Sequence, residues 1–139
     1  MPITVRVRDA MDNKAYSIDA SRSVMDVVKT MLERSVWSLV IEKNGLPVGV
    51  VTERDIIRCC TARGLDPARA KIEDVDRSPF ITVEPDAPVG QAMKLMVEKA
   101  VRRVYVVEGG KIIGRLSQTR VLDEMLNVIL AISGLQYEA

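Results

Sequence analysis

The chain has 139 residues and a formal net charge of +1, and 47% of its residues are hydrophobic, 28% charged and 4% aromatic. This length allows one compact domain or two closely associated halves, and the composition is ordinary for a globular protein. A net charge near zero offers no global field to nucleic acid or to an anionic membrane, and so few aromatic residues argue against a surface that stacks bases. The start of the chain lacks the apolar core of a signal peptide and no run is long enough to cross a bilayer, which predicts a cytoplasmic protein.

The first half of the chain predicts short elements followed by a helix, a hairpin and a second helix. Apolar residues recur with helical spacing after Ser23, which forms a capping box with Asp26. Gly45 lies in a turn between two β-branched runs, which is the pattern of a hairpin. The predicted elements are, in order, a strand at Pro2–Val7, a helical turn at Arg8–Met11, a strand at Tyr16–Ile18, a helix from Ser23, strands at Leu39–Ile41 and Val48–Val51, and a helix from Glu53 to about Arg63 that ends near Gly64.

The junction between the second hairpin strand and the following helix carries Thr52 and Asp55. Thr-x-x-Asp at a helix start is a capping pattern, because the hydroxyl accepts a free backbone N–H and the acid lies near the positive end of the helix dipole. The same hydroxyl and carboxylate could also bind the diol of a sugar, with Gly49 leaving room for it. The pattern alone leaves both interpretations open.

The second half repeats the first at a shift of 65 residues, which aligns Gly49 with Gly114 and Thr52 with Ser117. A unit of this size seldom buries enough apolar surface to fold alone, so the two copies are predicted to share a core. After a linker at residues 65–71, the predicted elements are a turn at Ile72–Asp76, a strand at Phe80–Val83, a helix from Val89, a hairpin of Val104–Val107 and Lys111–Leu116, and a helix from Ser117 to Ile132 that ends before Gly134.

The last helix outgrows the repeat, because the apolar run Val128–Ile132 has no apolar counterpart at residues 65–71. This run extends an apolar helix face that already includes Val121 and Met125. An apolar helix end that stays exposed usually marks a contact surface. We interpret the run as a dimerisation surface, and packing over the chain's own core is the alternative.

The sequence contains no recognisable catalytic or metal-binding constellation. It has no histidine, and its two cysteines are the neighbours Cys59 and Cys60. Adjacent side chains on a helix point in different directions, so this pair is a poor disulfide and, without histidine, a poor zinc site. We expect both to be buried as small apolar residues. A Gly-rich phosphate loop with lysine is also missing, and the prediction is a non-enzymatic protein.

A tandem β-α-β-β-α unit with this strand–helix junction resembles the cystathionine-β-synthase (CBS) domain pair, or Bateman module. The resemblance rests on Asp9–Met11, Ala87–Val89, Val40–Gly45 and above all Val48–Ile56, and it covers nearly the whole chain. It implies an α/β (α+β) fold of the stand-alone type found in prokaryotes and archaea, in which two pseudo-twofold-related repeats pack through their sheets. The implied division is one module at 1–139, with repeat 1 at 8–64, a linker at 65–71, repeat 2 at 72–127 and a C-terminal helix extension at 128–139.

The resemblance implies a regulatory module that binds adenine nucleotides, AMP first and then ADP or ATP, in a cleft between the repeats. Thr52 and Asp55 would hold the ribose, the adenine would lie against the second repeat, and arginines would meet the phosphates. The candidate ligand residues are Thr52, Arg54, Asp55, Ile81, Thr82, Val101, Arg102, Arg103, Ser117 and Arg120. No catalytic cofactor and no metal are expected. The expected partners are the nucleotide, a second copy of the chain and an unidentified regulated protein.

The two copies differ at positions that bear on this site. Asp55 aligns with Arg120, so the second junction has no ribose carboxylate, and Trp37-Ser38 aligns with Arg102-Arg103. These arginines and Arg115 make the start of the last helix a predicted anion site, since the helix dipole and the charges act together. A solvated basic face is the alternative, and the tryptophan could stack on a base or lie in the core or an interface. The alternative functions are S-adenosylmethionine binding, structural dimerisation and an adaptor for nucleic acid.

Overall fold

The computed structural model describes residues 5–134, and the chain divides into two compact units. The central unit is Lys14–Phe80, and the terminal unit combines the chain up to Asn13 with the chain from Ile81 onward. In chain order the elements are α1 (Val7–Ala10), β1 (Ser17–Asp19), α2 (Val24–Arg34), β2 (Ser38–Lys43), β3 (Leu46–Thr52), α3 (Glu53–Ile56), a π-helix (Ile57–Thr61), a 3₁₀ turn (Ile72–Asp74), β4 (Thr82–Val83), α4 (Val89–Glu98), β5 (Arg103–Glu108), β6 (Lys111–Ser117) and α5 (Gln118–Ser133).

Each unit contains a three-stranded sheet, and the two sheets have the same topology. In the central unit β1 is parallel to β2 and β2 is antiparallel to β3, and β4, β5 and β6 repeat this arrangement in the terminal unit. The pairs Ser38–Thr52 and Arg103–Ser117 hold equivalent register positions, and the register shifts after Ile41 in one sheet and after Val106 in the other. The predicted duplication and mixed α/β fold are therefore confirmed down to the strand register.

Both hairpins turn at the residues that the sequence indicates. Asn44 and Gly45 have φ values of 54° and 77°, and Gly109 and Gly110 have values of 58° and 77°. Two consecutive residues with positive φ make a tight turn whose twist matches that of the paired strands, and asparagine and glycine tolerate this conformation best. The hairpin predictions are confirmed.

The helix that follows β3 has the predicted extent but changes its winding. It begins as α3 and continues as the π-helix, where the Ala62 N–H donates to the Ile57 carbonyl oxygen at 2.8 Å. Gly64 follows with a φ of 69°, in the left-handed region that glycine favours at a helix end. Cys59 and Cys60 lie in the π-helix and are 2% and 1% exposed, which confirms the prediction that both are buried.

The prediction of an N-terminal strand at Pro2–Val7 is wrong at its C-terminal end, where Val7 is helical. Residues 2–4 lie outside the described part of the chain, Arg6 forms only an isolated bridge to Pro88, and Val7 already begins α1. The Asp9 carboxylate accepts the Arg6 backbone N–H at 3.1 Å and Val7 is buried, so capping and burial together favour a helical turn here.

Each unit takes part of its core from the segment that leads into the other repeat. Ile72 packs with Leu39 in the core of the central unit, and Val7 packs with Val104 in the core of the terminal unit. The predicted linker 65–71 is also hydrogen-bonded to the start of α2. The compact units are therefore the sequence repeats with their leading segments exchanged, which gives each short unit additional apolar cover.

Candidate functional site

Thr52 and Asp55 form a complete capping box at the start of α3. The Thr52 hydroxyl oxygen accepts the Asp55 backbone N–H at 3.2 Å, and Asp55 Oδ2 accepts the Thr52 backbone N–H at 2.9 Å. The Thr52 hydroxyl also lies 3.0 Å from Asp55 Oδ2, to which it donates. The capping interpretation of this motif is confirmed.

The Asp55 carboxylate has two further partners that the sequence analysis missed. Asp55 is 2% exposed, its Oδ2 accepts the Ser78 hydroxyl at 3.1 Å, and its Oδ1 lies 3.2 Å from the guanidinium of Arg58. The Ser78 backbone is held against Val50 by a reciprocal pair of hydrogen bonds at 2.9 Å and 2.8 Å. No local sequence signal identifies Ser78, because it reaches Asp55 only through strand pairing.

The space beside Gly49 is filled by the chain itself. A Cβ atom on Gly49 would lie 2.6 Å from the Cδ of Arg77 and 3.2 Å from the Ser78 carbonyl oxygen. The glycine therefore lets this segment approach β3 closely, in contrast to the expected room for a sugar. Close backbone approach is a common reason for glycine inside a strand.

The equivalent junction of the terminal unit is capped by Ser117, whose hydroxyl oxygen accepts the Arg120 backbone N–H at 3.1 Å. The Arg120 side chain turns back into its own unit, where Nε donates to the Ala10 carbonyl oxygen at 3.1 Å. Its guanidinium also lies 3.7 Å from the Glu124 carboxylate. Arg120 is thus engaged at the position where the first junction has its acid.

Arg115 is not part of a solvated basic face, which corrects that alternative for this residue. Its side chain is 12% exposed and lies 3.2 Å from the Asp12 carboxylate, which is 22% exposed. The backbones of Arg115 and Asp12 exchange two hydrogen bonds of 2.9 Å. This pair fastens the start of the chain to β6, so Arg115 has a structural role.

The remaining candidates divide between the two units. Arg54 is exposed in the first turn of α3 and belongs to the central unit, as do Thr52 and Asp55. The other seven candidates, Ile81, Thr82, Val101, Arg102, Arg103, Ser117 and Arg120, all belong to the terminal unit.

Within the terminal unit the strand register brings several of these residues together at the start of α5. Arg103 pairs with Ser117 across the two strands, and the Gln118 N–H donates to the Arg102 carbonyl oxygen at 2.9 Å. Arg102 is exposed and Arg103 is half-buried. Arg102, Arg103 and Arg120 therefore lie near the N-terminus of α5, a helix of 16 residues. The helix dipole and the positive charges of the arginines both favour an anion there.

The residues expected to contact the adenine differ in their exposure to solvent. Thr82 is exposed at the start of β4, whereas Ile81 and Val101 are half-buried and pack against the core of the terminal unit. The Ile81 carbonyl oxygen accepts the Tyr105 N–H at 2.9 Å. Ile81 and Val101 therefore have core contacts of their own.

The apolar end of α5 is exposed, as predicted for a contact surface. Val128, Ile129 and Ile132 are 59%, 57% and 82% exposed, so the alternative of packing over the chain's own core is wrong for these residues. Within residues 5–134 no group of three or more cysteine, aspartate or glutamate side chains is placed to hold a metal ion. No helix in that range is both long and apolar enough to cross a membrane.

Comparison with known sequences identifies relatives over nearly the whole chain. A family model described as CBS domain matches residues 7–61 and 72–127. An uncharacterised protein of Methanopyrus kandleri is 34% identical over 105 residues, which are 74% of this chain and 54% of that protein. The mitochondrial CBS domain-containing protein CBSX3 of Arabidopsis thaliana is 32% identical over 123 residues, which are 80% of this chain and 60% of that protein. The chain thus spans little more than half the length of these two relatives.

Two solved structures have the same fold. An uncharacterised conserved protein from Pyrococcus horikoshii superimposes with a TM-score of 0.77 at 27% identity, covering 100% of this chain and 99% of that one. A hexameric CBS-CP12 protein from bloom-forming cyanobacteria gives a TM-score of 0.81 at 28% identity, covering 91% of this chain and 71% of that one.

Proposed function

The chain belongs to the CBS domain family, and from that membership we propose that it is a non-enzymatic regulatory module that binds an adenine nucleotide. AMP is the preferred ligand, followed by ADP and ATP, and the bound state is signalled to a partner protein that is still to be identified. The observation that carries this proposal is the group of arginines at the start of α5. A guanidinium beside a helix N-terminus is well suited to a phosphate, because both donate hydrogen bonds to an anion.

Arg103 is the principal phosphate residue in this proposal. It is half-buried and lies directly across the strand pair from Ser117, the cap of α5. Arg102 is exposed and contributes at the rim. Both positions differ in the central unit, where Trp37 and Ser38 stand at the equivalent places.

The ribose is assigned to Thr52 and Asp55 by the family resemblance. Asp55 Oδ2 is engaged by the cap and by Ser78, whereas Oδ1 is 3.2 Å from Arg58, whose side chain is 64% exposed. An exposed arginine is held weakly by such a pair. We therefore assign the ribose hydroxyl to Oδ1, where it replaces Arg58 and leaves the cap intact.

An anionic ligand fits the arginines better than the alternatives do. S-adenosylmethionine carries a sulfonium cation and has a single carboxylate in place of a phosphate, so it would gain less from Arg103 than AMP does. A nucleic-acid adaptor would need a wider basic surface than a chain of net charge +1 provides.

We also propose that two copies associate through the exposed apolar face of α5. The free thiols Cys59 and Cys60 fit the reducing cytoplasm in which we expect the protein.

Calorimetric titration with AMP, ADP, ATP, adenosine and S-adenosylmethionine tests the proposed ligand. We expect AMP to bind more tightly than adenosine, and Arg103→Ala to remove most of that advantage, with a loss of about tenfold or more for AMP. Lys111→Ala, which removes an exposed cation at the hairpin end of β6, is the matched control and should change nothing. Asp55→Asn, which keeps the acceptors of the cap, should weaken AMP and adenosine alike.

The proposal fails if no adenine nucleotide binds at millimolar concentration. If AMP binds but Arg103→Ala leaves the ratio of AMP to adenosine affinity unchanged, the arginines are not the phosphate site. A short oligonucleotide added at low salt is the control for binding by charge alone, which would weaken steeply as salt is raised.

A further inference from the structure

The two oxygens of the Asp55 carboxylate are held in different ways. Oδ2 accepts the Thr52 backbone N–H at 2.9 Å, the Thr52 hydroxyl at 3.0 Å and the Ser78 hydroxyl at 3.1 Å. Oδ1 instead accepts a hydrogen bond from a guanidinium nitrogen of Arg58, Nη2, at 3.2 Å. Oδ2 is therefore fixed by the cap and by strand pairing, whereas Oδ1 is held by the end of a long side chain.

The acid and the base of this pair differ sharply in their exposure to solvent. The Asp55 side chain is 2% exposed, whereas that of Arg58 is 64% exposed. An exposed arginine leaves its partner at little cost, because water solvates the guanidinium at once. A buried carboxylate oxygen that loses its donor is costly, because it then needs another one. The pair is therefore easily broken from the arginine side, provided that an incoming group donates to Oδ1 in its place.

The change of helix winding falls between these two residues. Asp55 belongs to α3, and Arg58 belongs to the π-helix that begins at Ile57. Short π-helical segments are rare and are frequently found at functional sites. Arg58 thus reaches back to the acid from a turn that is wider than that of an α-helix.

The equivalent positions of the terminal unit carry the opposite charges. The repeat shift aligns Asp55 with Arg120 and Arg58 with Asp123. Arg120 lies 3.7 Å from Glu124, and these two side chains are 43% and 49% exposed, so this pair is solvated at both ends. The combination of a buried acid with an exposed base is therefore found at the junction of the central unit, to which the ribose is assigned.

We propose that Arg58 is a built-in competitor of the ligand, which occupies Oδ1 of Asp55 in the free protein and is displaced by a ribose hydroxyl. Each binding event then breaks the pair of Arg58 with Asp55, so Arg58 lowers the affinity of the site for compounds with a free ribose diol. A compound without these hydroxyls leaves Arg58 in place and escapes the competition. This inference rests on the proposed function, and it adds the residue that regulates that site.

Arg58→Met tests the competition, because it keeps a long apolar stem and removes the guanidinium. Calorimetric titration should show that AMP and adenosine both bind about two- to fivefold more tightly, since an exposed pair is of modest strength. The ratio of the two affinities should not change, because both compounds carry the same diol. Arg58→Gln, which can still donate a hydrogen bond, should give a smaller increase. Arg63→Met removes an exposed cation just beyond the π-helix and serves as the matched control.

Two further measurements locate the effect at the ribose. The affinity for 2′,3′-dideoxyadenosine, followed by the chemical shifts of backbone amides so that weak binding is also detected, should be the same in Arg58→Met and in the unaltered protein. The guanidinium resonance of Arg58, identified by its loss in Arg58→Met, should move when adenosine is added and stay in place when the dideoxy compound is added. In the background of Asp55→Asn, Arg58→Met should no longer tighten binding, because the charge that held Arg58 is gone.

The sign of the change in affinity decides the role of Arg58. Unchanged binding of AMP and adenosine by Arg58→Met would make the pair a support of the helix only, and weaker binding would make Arg58 a contact of the ligand; either result overturns the proposal. An equal gain for the dideoxy compound would overturn it too. If Arg58→Met does not fold, judged by chemical denaturation, Arg58→Gln carries the same test. If no adenosine compound binds to any of these proteins, the proposed function fails and the competition with it, whereas binding that ignores Arg58 leaves the proposed function standing.

Discussion

Asp55 in the central unit and Arg120 in the terminal unit hold equivalent places, each three residues after the residue that caps the helix. Asp55 accepts the Ser78 hydroxyl at 3.1 Å, and Arg120 donates to the Ala10 carbonyl oxygen at the same distance. In both units this side chain joins the helix start to the segment taken from the other repeat. The connection has been kept through the duplication, whereas the direction of the hydrogen bond has reversed.

The two connections differ in their exposure to water. Asp55 is 2% exposed, whereas the Arg120 side chain is 43% exposed. Hydrogen bonds to a buried charge are worth more than those to a solvated one, because water cannot replace the lost partner. The central unit should therefore depend on its connection more than the terminal unit does.

Asp55→Ala should be the most damaging of the substitutions considered for stability. It removes an acid that the helix dipole favours, worth about 0.3–1 kcal/mol, and charged hydrogen bonds worth about 1.5–3 kcal/mol. Arg120→Ala should cost about 0.5–1.5 kcal/mol, because its side chain is solvated. Chemical denaturation of both variants measures the difference, and Asp55→Asn should recover much of the loss. Equal destabilisation by the two alanine substitutions would show that burial does not distinguish the connections.

The features of the two junctions that depend on local sequence could be predicted, whereas those that depend on distant segments could not. The capping box, both hairpins and the duplication follow from local patterns, since each depends on residues within four positions or on a constant shift. Ser78 could not be predicted as a partner of Asp55, because it arrives through pairing with Val50. The exchange of the leading segments was hidden for the same reason, as Ile72 and Val7 carry no mark of the core that they enter.

The helices after the two junctions also diverge for a physical reason. The π-helix of the central unit is covered by its own chain, since Cys59 and Cys60 pack with Val24 and Val75. Val75 follows the linker, so the chain returns over this helix after Gly64. Within residues 5–134 the apolar face of α5 has no such cover, and Val128, Ile129 and Ile132 stay exposed. The sequence signalled this only as an apolar run without a counterpart in the first repeat.

Alanine substitutions at the two equivalent strand glycines, Gly49 and Gly114, should have the next largest effects on stability. A Cβ on Gly114 would lie 2.7 Å from the Asp12 carbonyl oxygen and 2.8 Å from the Met11 sulfur. A Cβ on Gly49 would meet chiefly the flexible side chain of Arg77, at 2.6 Å. We expect Gly114→Ala to cost about 1–3 kcal/mol, because a backbone atom has to move, and Gly49→Ala to cost less.

Thermal or chemical unfolding of the two variants measures this order directly. Gly90→Ala is a suitable control, since a Cβ at that position meets nothing within 4 Å. If Gly49→Ala proved the more damaging, the close approach of the Ser78 carbonyl oxygen, at 3.2 Å, would be the controlling contact.

The smallest expected effect separates the first helices of the two units by pH. The Ser23 hydroxyl caps α2 by accepting the Asp26 N–H at 3.1 Å, whereas Pro88, at the N-cap position of α4, provides no side-chain cap. A hydrogen bond from Arg22, followed by the Ser23 backbone N–H, lowers the pKa of Asp26 below its ordinary value of 3.8. A carboxyl group whose pKa is lowered by folding stabilises the folded state above its ordinary pKa, and this contribution is lost as the pH falls through the folded value. Amide exchange protection of α2 should therefore decrease more than that of α4 when the pH falls below about 3.8.

Asp26→Asn is the matched variant, because it keeps an acceptor near the cap but does not titrate. Its α2 should be slightly less protected than that of the unaltered protein at neutral pH and should lose the additional response to acid. If α2 and α4 of the unaltered protein respond to acid alike, the cap of α2 does not set the local stability of the central unit.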